Sequence, residues 1–303
     1  MTLADTQTAT PSATSAGASA RRGINWGAVG DHAILIAGAL LMVVPVVIAF
    51  LTSTWDPITI HRGGLQYVPG PHFAETYRTV LFTGTGFTGE VNGMTMTMNS
   101  LILGLGFAVG KIVISMMAAY AIVYFRFPFA TLAFWAVFTT LLLPLEVRIL
   151  PSYEIVQSMG LTNTYTGLIV PLIASATGTF FFRQFFKSVP DELLEAARID
   201  GAGPFKFFID ILVPLSRTMI AAIFIIMFVY GWNQYLWPTL ITTDEHYFTL
   251  VRGIKQILQV WIGANIPEYG EAMALSILAM LPPVVIVIVF QSWFIKGLTE
   301  SDK

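Results

Sequence analysis

The sequence predicts an all-α integral membrane protein of six transmembrane helices with both termini in the cytoplasm. Three observations carry that expectation. Hydrophobic residues make up 55% of the 303 residues and charged residues only 11%, whereas soluble domains carry about 25% charged residues. Mean hydropathy is +0.71, and apolar runs of about 20 residues, long enough to cross hydrocarbon, recur along the chain. The basic residues are shared unequally between the segments that separate those runs, which sets orientation.

Composition also excludes whole classes of chemistry. The chain has no cysteine, which removes disulfide frameworks, thiol nucleophiles and Cys-based metal sites. Its net charge of -2 gives no reason to expect nucleic acid. The four histidines, His32, His61, His72 and His246, are scattered without ligand spacing, so no metal site is expected.

Taken in order, residues 1–30 read as a disordered cytoplasmic tail. Up to Ala20 they are rich in Ala, Ser and Thr, with Asp5 the one charged side chain. The small-residue stretch 15–20 precedes the first apolar run rather than following it, so it is no signal-peptide cleavage site. A six-helix domain is then expected over 31–303, with spans at about 33–52, 94–124, 129–150, 164–182, 218–241 and 272–294. Pro45, Pro144, Pro171, Pro282 and Pro283 predict kinks. The segment at about 53–93, rich in Gly, Pro and Thr, reads as an extracytoplasmic loop.

Two glycine-rich stretches imitate nucleotide sites and fail on context. Residues 84–89, GTGFTG, match the dinucleotide fingerprint, but no strand precedes them and no amphipathic helix follows. Residues 104–111, GLGFAVGK, suggest a phosphate-binding loop with the wrong first spacing, and Ile112 stands where a hydroxyl must hold magnesium. Gly106 and Gly110 read instead as a small-residue surface for close helix packing.

With the termini inside, Arg21, Arg22, Arg126, Arg183, Lys187, Arg198, Lys206, Arg217, Lys296 and Lys303 fall in the cytoplasm. Arg62, Arg78, Arg252 and Lys255 fall outside. Ten against four favours this orientation, since Lys and Arg are retained on the cytoplasmic side.

Three ionisable residues fall at bilayer depth, where each needs a partner or a water-lined path: Lys111, Glu146 and Arg148. Glu146 and Arg148, two residues apart on a helix, are turned about 200° from one another and should not face each other. Either Lys111 or Arg148 lines the path of an anionic solute, with Glu146 neutralising a cation in its absence, or Glu146 makes a structural bridge to Lys111 or an arginine between adjacent helices, or Arg148 snorkels to the outer interface. Asn233 and Gln234, in GWNQYLWP at 231–238, are candidates for hydrogen bonds to a polyol. Trp232, Tyr235 and Trp237 there read as an aromatic belt at the outer interface.

Residues 188–216, SVPDELLEAARIDGAGPFKFFIDILVPLS, mix charge densely into an apolar half-chain. Ser188 is a candidate N-cap, and Asp191 and Glu192 suit the first turn of a helix that should end near Asp200, before Gly201, Gly203 and Pro204. Glu195-Ala196-Ala197, followed by Gly201, Ile211 and Pro214, resembles the cytoplasmic EAA loop of ABC importer permeases. The family ends Ile-x-Leu-Pro, and here Val213 stands in the apolar position before Pro214.

From about His32 to the C-terminus the chain is similar to the carbohydrate-importer branch of that family, typified by the maltose system. The blocks GKI at 110–112, FRFP at 125–128, LPLEVRI at 143–149, FRQFF at 182–186 and GWNQYLWP at 231–238 resemble permeases for sn-glycerol 3-phosphate and glycerophosphodiesters. The resemblance implies the type I ABC importer permease fold in a bacterial inner membrane and a noncatalytic translocation role. It also implies partners: a second related permease, two copies of a cytoplasmic ATPase that holds the ATP and magnesium, and an extracytoplasmic solute-binding protein. Glu195 would meet a basic group on the ATPase, Ala196 and Ala197 would permit close approach, and Gly201 the turn. A permease for neutral sugars differs only at the pathway residues. An ion-coupled secondary transporter leaves the Glu195 loop without a role, and a membrane-embedded enzyme lacks a nucleophile, carboxylate pair or metal cluster at usable spacing.

Overall fold

The structure, a computed structural model, describes residues 26–83, 91–125, 127–140, 143–259 and 268–299. The tail up to residue 25, the 84–89 motif, Arg126 and Lys303 lie outside the described residues. Regular structure among the described residues is helical throughout. The chain forms two compact units, 1–45 and 46–303.

The first unit is seen as the N-terminal part of helix α1 (Trp26–Thr52). This helix already begins at Trp26, inside the segment assigned to the tail. From Ala33 to Pro45 its side chains are apolar and exposed, with Leu41 at 77% and Met42 at 80%, as suits a surface solvated by hydrocarbon rather than water.

The second unit is organised around α4 (Gly93–Tyr124). Asn92 caps it, its Oδ1 accepting from Thr95 N at 3.0 Å. Both faces of α4 are apolar, yet one stripe is buried: Met96, Leu103, Phe107, Lys111, Ser115 and Ala119, at intervals of four or seven residues. Along that stripe α4 packs against α8 (Ala176–Ser188) and α12 (Arg217–Trp232), and α12 packs in turn on α15 (Tyr269–Thr299). Small residues bring the helices close where water-driven burial is absent. A Cβ on Gly231 would lie 2.8 Å from Phe107 Cβ, and Cβ atoms on Gly106 and Gly110 would lie 2.5 and 2.6 Å from the nearest side-chain carbons of Ile169 and Ile173. The Gly106/Gly110 surface is thus a notch for two isoleucines.

Prolines and polar caps break the other expected spans. The run 129–150 is not one helix: α5 (Ala130–Thr139) ends, and α6 (Leu145–Ser158) starts anew behind Pro144. Proline lacks an N–H and drives the preceding residue out of the helical region, so it begins a helix more readily than it continues one. Glu146 and Arg148 therefore stand in the first turn and a half of α6 rather than at the end of one continuous helix. The run 164–182 is bent by 51° between α7 (Tyr165–Ile169), extended by a 3-10 turn at Val170–Leu172, and α8. Pro171 lies in that turn, and Ser175 caps α8 with its Oγ accepting from Gly178 N at 3.2 Å.

Ahead of α12, the segment Pro204–Leu215 is bent from it by 75°. That segment comprises α10 (Pro204–Phe207), a π-helical stretch Phe208–Leu212 and α11 (Val213–Leu215). By contrast Pro45, and the pair Pro282 and Pro283, sit inside α1 and α15, which continue through them. By length and composition α1, α4 and α15 can each cross a membrane, as can each bent pair taken as one span, and α5 is a shorter apolar helix.

The aromatic belt is overturned for both tryptophans. Trp232 and Trp237 are 1% and 0% exposed. Their indole Nε1 groups donate to Ala279 O and Leu168 O, each at 3.0 Å. They are core anchors whose one polar atom is satisfied by backbone. Tyr235 is half-buried, with Lys255 Nζ 4.2 Å from its ring centroid.

The segment expected as a loop over 53–93 carries two helices, α2 (Pro57–Gly63) and α3 (Phe73–Phe82). Asp56 caps α2 through Thr59 N at 2.9 Å and Thr59 Oγ1 at 2.6 Å, which holds its carboxyl below the ordinary value. Beyond α13 (Leu236–Ile241), the stretch leading to α14 (Leu250–Gln259) is tied to α4. Asn99 Nδ2 donates to His246 O and Phe248 O at 2.7 and 2.9 Å, its Oδ1 accepts from Tyr165 Oη at 2.7 Å, and Ser100 Oγ accepts from Leu250 N at 2.8 Å. Arg252 lies 3.5 Å over the Phe248 ring and donates to Thr242 O and Thr242 Oγ1, and burial lowers its pKa to about 10.

Candidate functional site

A cavity of about 610 Å³ opens where the interrupted helices meet, between α4, α6, α8 and α12. Lys111 and Arg148 both line it, although 37 positions separate them in sequence (148 - 111). Lys111 projects from the buried stripe of α4 and is 8% exposed. Its Nζ lies 5.2 Å from the ring centroids of both Phe107 and Tyr230, contacts that favour a cation without neutralising it. Among the described residues no carboxylate lies within 4.0 Å of either cation. The bridges expected as one alternative for Glu146 are therefore not formed among the described residues. Glu146 is exposed and does not line the cavity.

The polar part of the wall comes from Thr140 and from Ser175, Thr177 and Thr179 at the start of α8. The Ser175 carbonyl, freed by the bend, accepts from Ser115 Oγ at 3.2 Å and Thr179 Oγ1 at 2.9 Å. Gly178 presses so closely on α4 that a Cβ would lie 2.5 Å from Ser115 Oγ. The first turn of α8 is thereby fixed against α4, close to Lys111. Sequence reasoning did not single out this turn. The signal was present, because Ser175 inside an apolar run, four residues after Pro171, has the form of a proline break followed by an N-cap.

Asn233 and Gln234 are elsewhere. Asn233 Nδ2 donates to Val229 O at 2.9 Å and Gln234 Nε2 to Tyr230 O at 3.4 Å, so both amides close the end of α12, and neither lines the cavity.

The charged stretch forms α9 (Asp191–Ile199). Ser188 does not cap it. That residue ends α8, with its Oγ donating to Phe185 O at 2.7 Å, and Pro190 occupies the N-cap. Gly201 takes φ +77°, a left-handed conformation that a Cβ disfavours. The Gly201 and Ala202 N–H groups then return to Arg198 O and Ala197 O at 3.1 and 2.9 Å, closing the helix C-terminus. Ala197 is buried against the core, while Glu195 and Ala196 face outward. Beside them Ile199 is 86% and Phe205 78% exposed. Glu195 also lines a cavity of about 400 Å³ with Arg183, Lys187 and Arg198. The Arg183 guanidinium sits 3.8 Å over the Phe134 ring.

Broken apolar helices around a cationic cavity, with a short polar helix presented beside the bundle, define a multi-pass membrane permease. The chain belongs to the family of inner membrane components of binding-protein-dependent transport systems, whose family model matches residues 101–300. It is 47% identical over 272 residues to the sn-glycerol-3-phosphate transport system permease protein UgpE of Brucella melitensis, covering 90% of this chain and 96% of that protein. It is also 47% identical over 283 residues to the protein of the same name from Yersinia pestis bv. Antiqua, covering 93% and 99%. Among solved structures it is similar to a bacterial ABC transporter involved in the import of the acidic polysaccharide alginate. That likeness has a TM-score of 0.75 at 19% identity and covers 94% of this chain and 100% of that one. The chain is thus a permease subunit of an ABC importer in the inner membrane, without enzymatic activity of its own.

Proposed function

We propose that this chain is one of two related permeases in an importer for sn-glycerol 3-phosphate and glycerophosphodiesters, fed by a solute-binding protein and driven by a pair of cytoplasmic ATPase subunits. The observation that carries the cargo is the cavity in which Lys111 and Arg148 meet with no carboxylate on its wall. A cavity of this charge stabilises an anionic solute while it is out of water. A neutral sugar can accept hydrogen bonds from two cations but cannot neutralise them. Glu146, off the cavity wall, is badly placed to be the coupling carboxylate of a secondary transporter.

In this reading six spans cross the membrane: α1, α4, α5 with the start of α6, the α7–α8 pair, α12, and α15. Both termini then lie in the cytoplasm, 53–93 outside, and the 188–216 loop inside. The outward side of α9, with Glu195 and Ala196 flanked by Ile199 and Phe205, is the surface offered to an ATPase, while Ala197 anchors the helix to the bundle. ATP and magnesium belong to that partner. ATP-driven closure of the ATPase pair, passed through α9, turns the cavity toward the binding protein, and hydrolysis returns it.

The test is solute-stimulated ATPase activity of the complete complex in lipid with its binding protein, comparing sn-glycerol 3-phosphate, a glycerophosphodiester and maltose. Stimulation by the phosphate esters and not by maltose is expected. Stimulation by maltose alone would overturn the cargo.

A further inference from the structure

We infer that the first turn of α8 is a phosphate seat, completed by Lys111 and Arg148, and that it holds a phosphate monoester more strongly than a diester. The inference rests on the proposed cargo and adds which groups hold the phosphoryl oxygens and how charge is counted there.

The bend between α7 and α8 leaves the start of a 13-residue helix on the cavity wall. The opening N–H groups of a helix have no intrahelical acceptor, and together they carry about half a positive charge. Ser175 Oγ takes Gly178 N, and the Ser175 carbonyl takes Thr179 N at 3.0 Å, which leaves the Ala176 and Thr177 N–H groups at the opening of the turn. The Thr177 hydroxyl makes no hydrogen bond among the described residues, and it too lines the cavity. The independent observation is Lys111. It is more than nine-tenths buried, it lines the same cavity, and among the described residues its ammonium has neither a hydrogen-bond acceptor nor a carboxylate, only the two aromatic faces. A buried cation left in that state needs an anion to complete it.

The count of charges then discriminates between esters. A phosphate monoester carries about -1.5 to -2 at pH 7 and presents three terminal oxygens. A diester carries a single charge on two such oxygens. Two cations and a helix N-terminus balance the monoester, whereas with a diester one positive group remains without a partner.

Two substitutions isolate the seat. Ala176→Pro deletes one N–H at the first helical position, where proline is well tolerated, and Ser175 already has the extended backbone (φ -140°, ψ 107°) that proline requires before it. Arg148→Gln removes one cation from an exposed side chain. The assay is binding of radiolabelled sn-glycerol 3-phosphate and of glycerophosphoglycerol to the detergent-purified complex without its binding protein, with thermal unfolding to check that each variant is folded. Each variant is expected to lose about tenfold or more in affinity for the monoester, the scale of one charge-assisted hydrogen bond, and about threefold or less for the diester. Equal losses for the two esters, or none, in folded variants would overturn the seat and leave the importer reading standing. A wild-type complex that binds neither ester would likewise overturn the seat, while failure of the phosphate esters to stimulate the ATPase in the complete system would overturn the importer reading.

Discussion

Gly110→Ala probes the notch that sets the position of the α7–α8 bend. An added Cβ would meet Ile173 Cγ2 at 2.6 Å and Ile173 Cβ at 3.2 Å, whereas carbon atoms in contact sit about 3.5 to 4.0 Å apart. One wall must yield by about 1 Å. Ile173 is β-branched and stiff about χ1, so it cannot swing aside cheaply. Overpacking of this kind costs about 1 to 3 kcal/mol, against a gain of up to about 1 kcal/mol from replacing glycine in a helix. The net expectation is a loss of up to about 2 kcal/mol. Ile173→Ala removes the obstructing branch, so the double variant should recover a coupling of about 1 kcal/mol. Unfolding midpoints of the four proteins in one detergent supply the cycle. Gly110→Ala costing the same in both backgrounds, or stabilising the wild type, would refute the notch.

Three further outcomes follow from the same geometry. Gly201→Val forces a β-branched residue into φ +77°, at about 1 to 2 kcal/mol. It should reduce recovery of the partner ATPase in co-purification, and full recovery would argue against a closed C-terminus on α9. Trp237→Phe keeps most of the packing but leaves the buried Leu168 carbonyl without its donor, at about 1 to 3 kcal/mol. A lower unfolding midpoint is expected, and no change would contradict an anchoring role. Asp56 has a folded pKa below its ordinary 3.8 because Thr59 bonds its charged form, so the cap stabilises α2 above about pH 4 and is lost as pH falls through the depressed value. The protection of the Thr59 amide against hydrogen exchange, relative to an unstructured amide at the same pH, should fall over that acidic window, and Asp56→Asn should flatten the dependence.

Much of the architecture is written in polarity, which sequence displays directly. Lys111 and Arg148 stand out because charge in an apolar run has few explanations, and α9 stands out because Asp191, Glu192, Glu195 and Gly201 mark its start, body and stop. What polarity hides is which apolar face is inside. On α4 both Phe107 and Val109 are apolar, yet Phe107 is fully buried and Val109 is 52% exposed. In a membrane segment the two faces differ in packing rather than in hydrophobicity. The same blindness placed Trp232 and Trp237 at an interface, although both are sealed by carbonyls from helices distant in sequence. The cavity was hidden for a related reason, because its wall is made where α5 ends, where α6 starts behind Pro144, and at the break 173–175, and a break within a run long enough to span looks like a kinked continuation.

The second bend gives the fold a lever. From α9 the chain runs through α10, the π-helical stretch and α11 to Ser216, where it turns by 75° into α12. Ser216 is fully buried and its Oγ donates to Leu212 O at 2.6 Å, so the corner is pinned rather than loose. From Ser216 to Tyr230 is 14 residues, about 21 Å of helix. A rotation of about 10° at the corner therefore carries Tyr230 about 4 Å. Tyr230 is one of the two rings against Lys111 and lies on the cavity wall with Ile226 and Met227. Under the proposed reading, a small reorientation of α9 on an ATPase reaches the buried cation through one continuous stretch of chain. The π-helical stretch at Phe208–Leu212 lies on that path, a form of helix that recurs at functional sites.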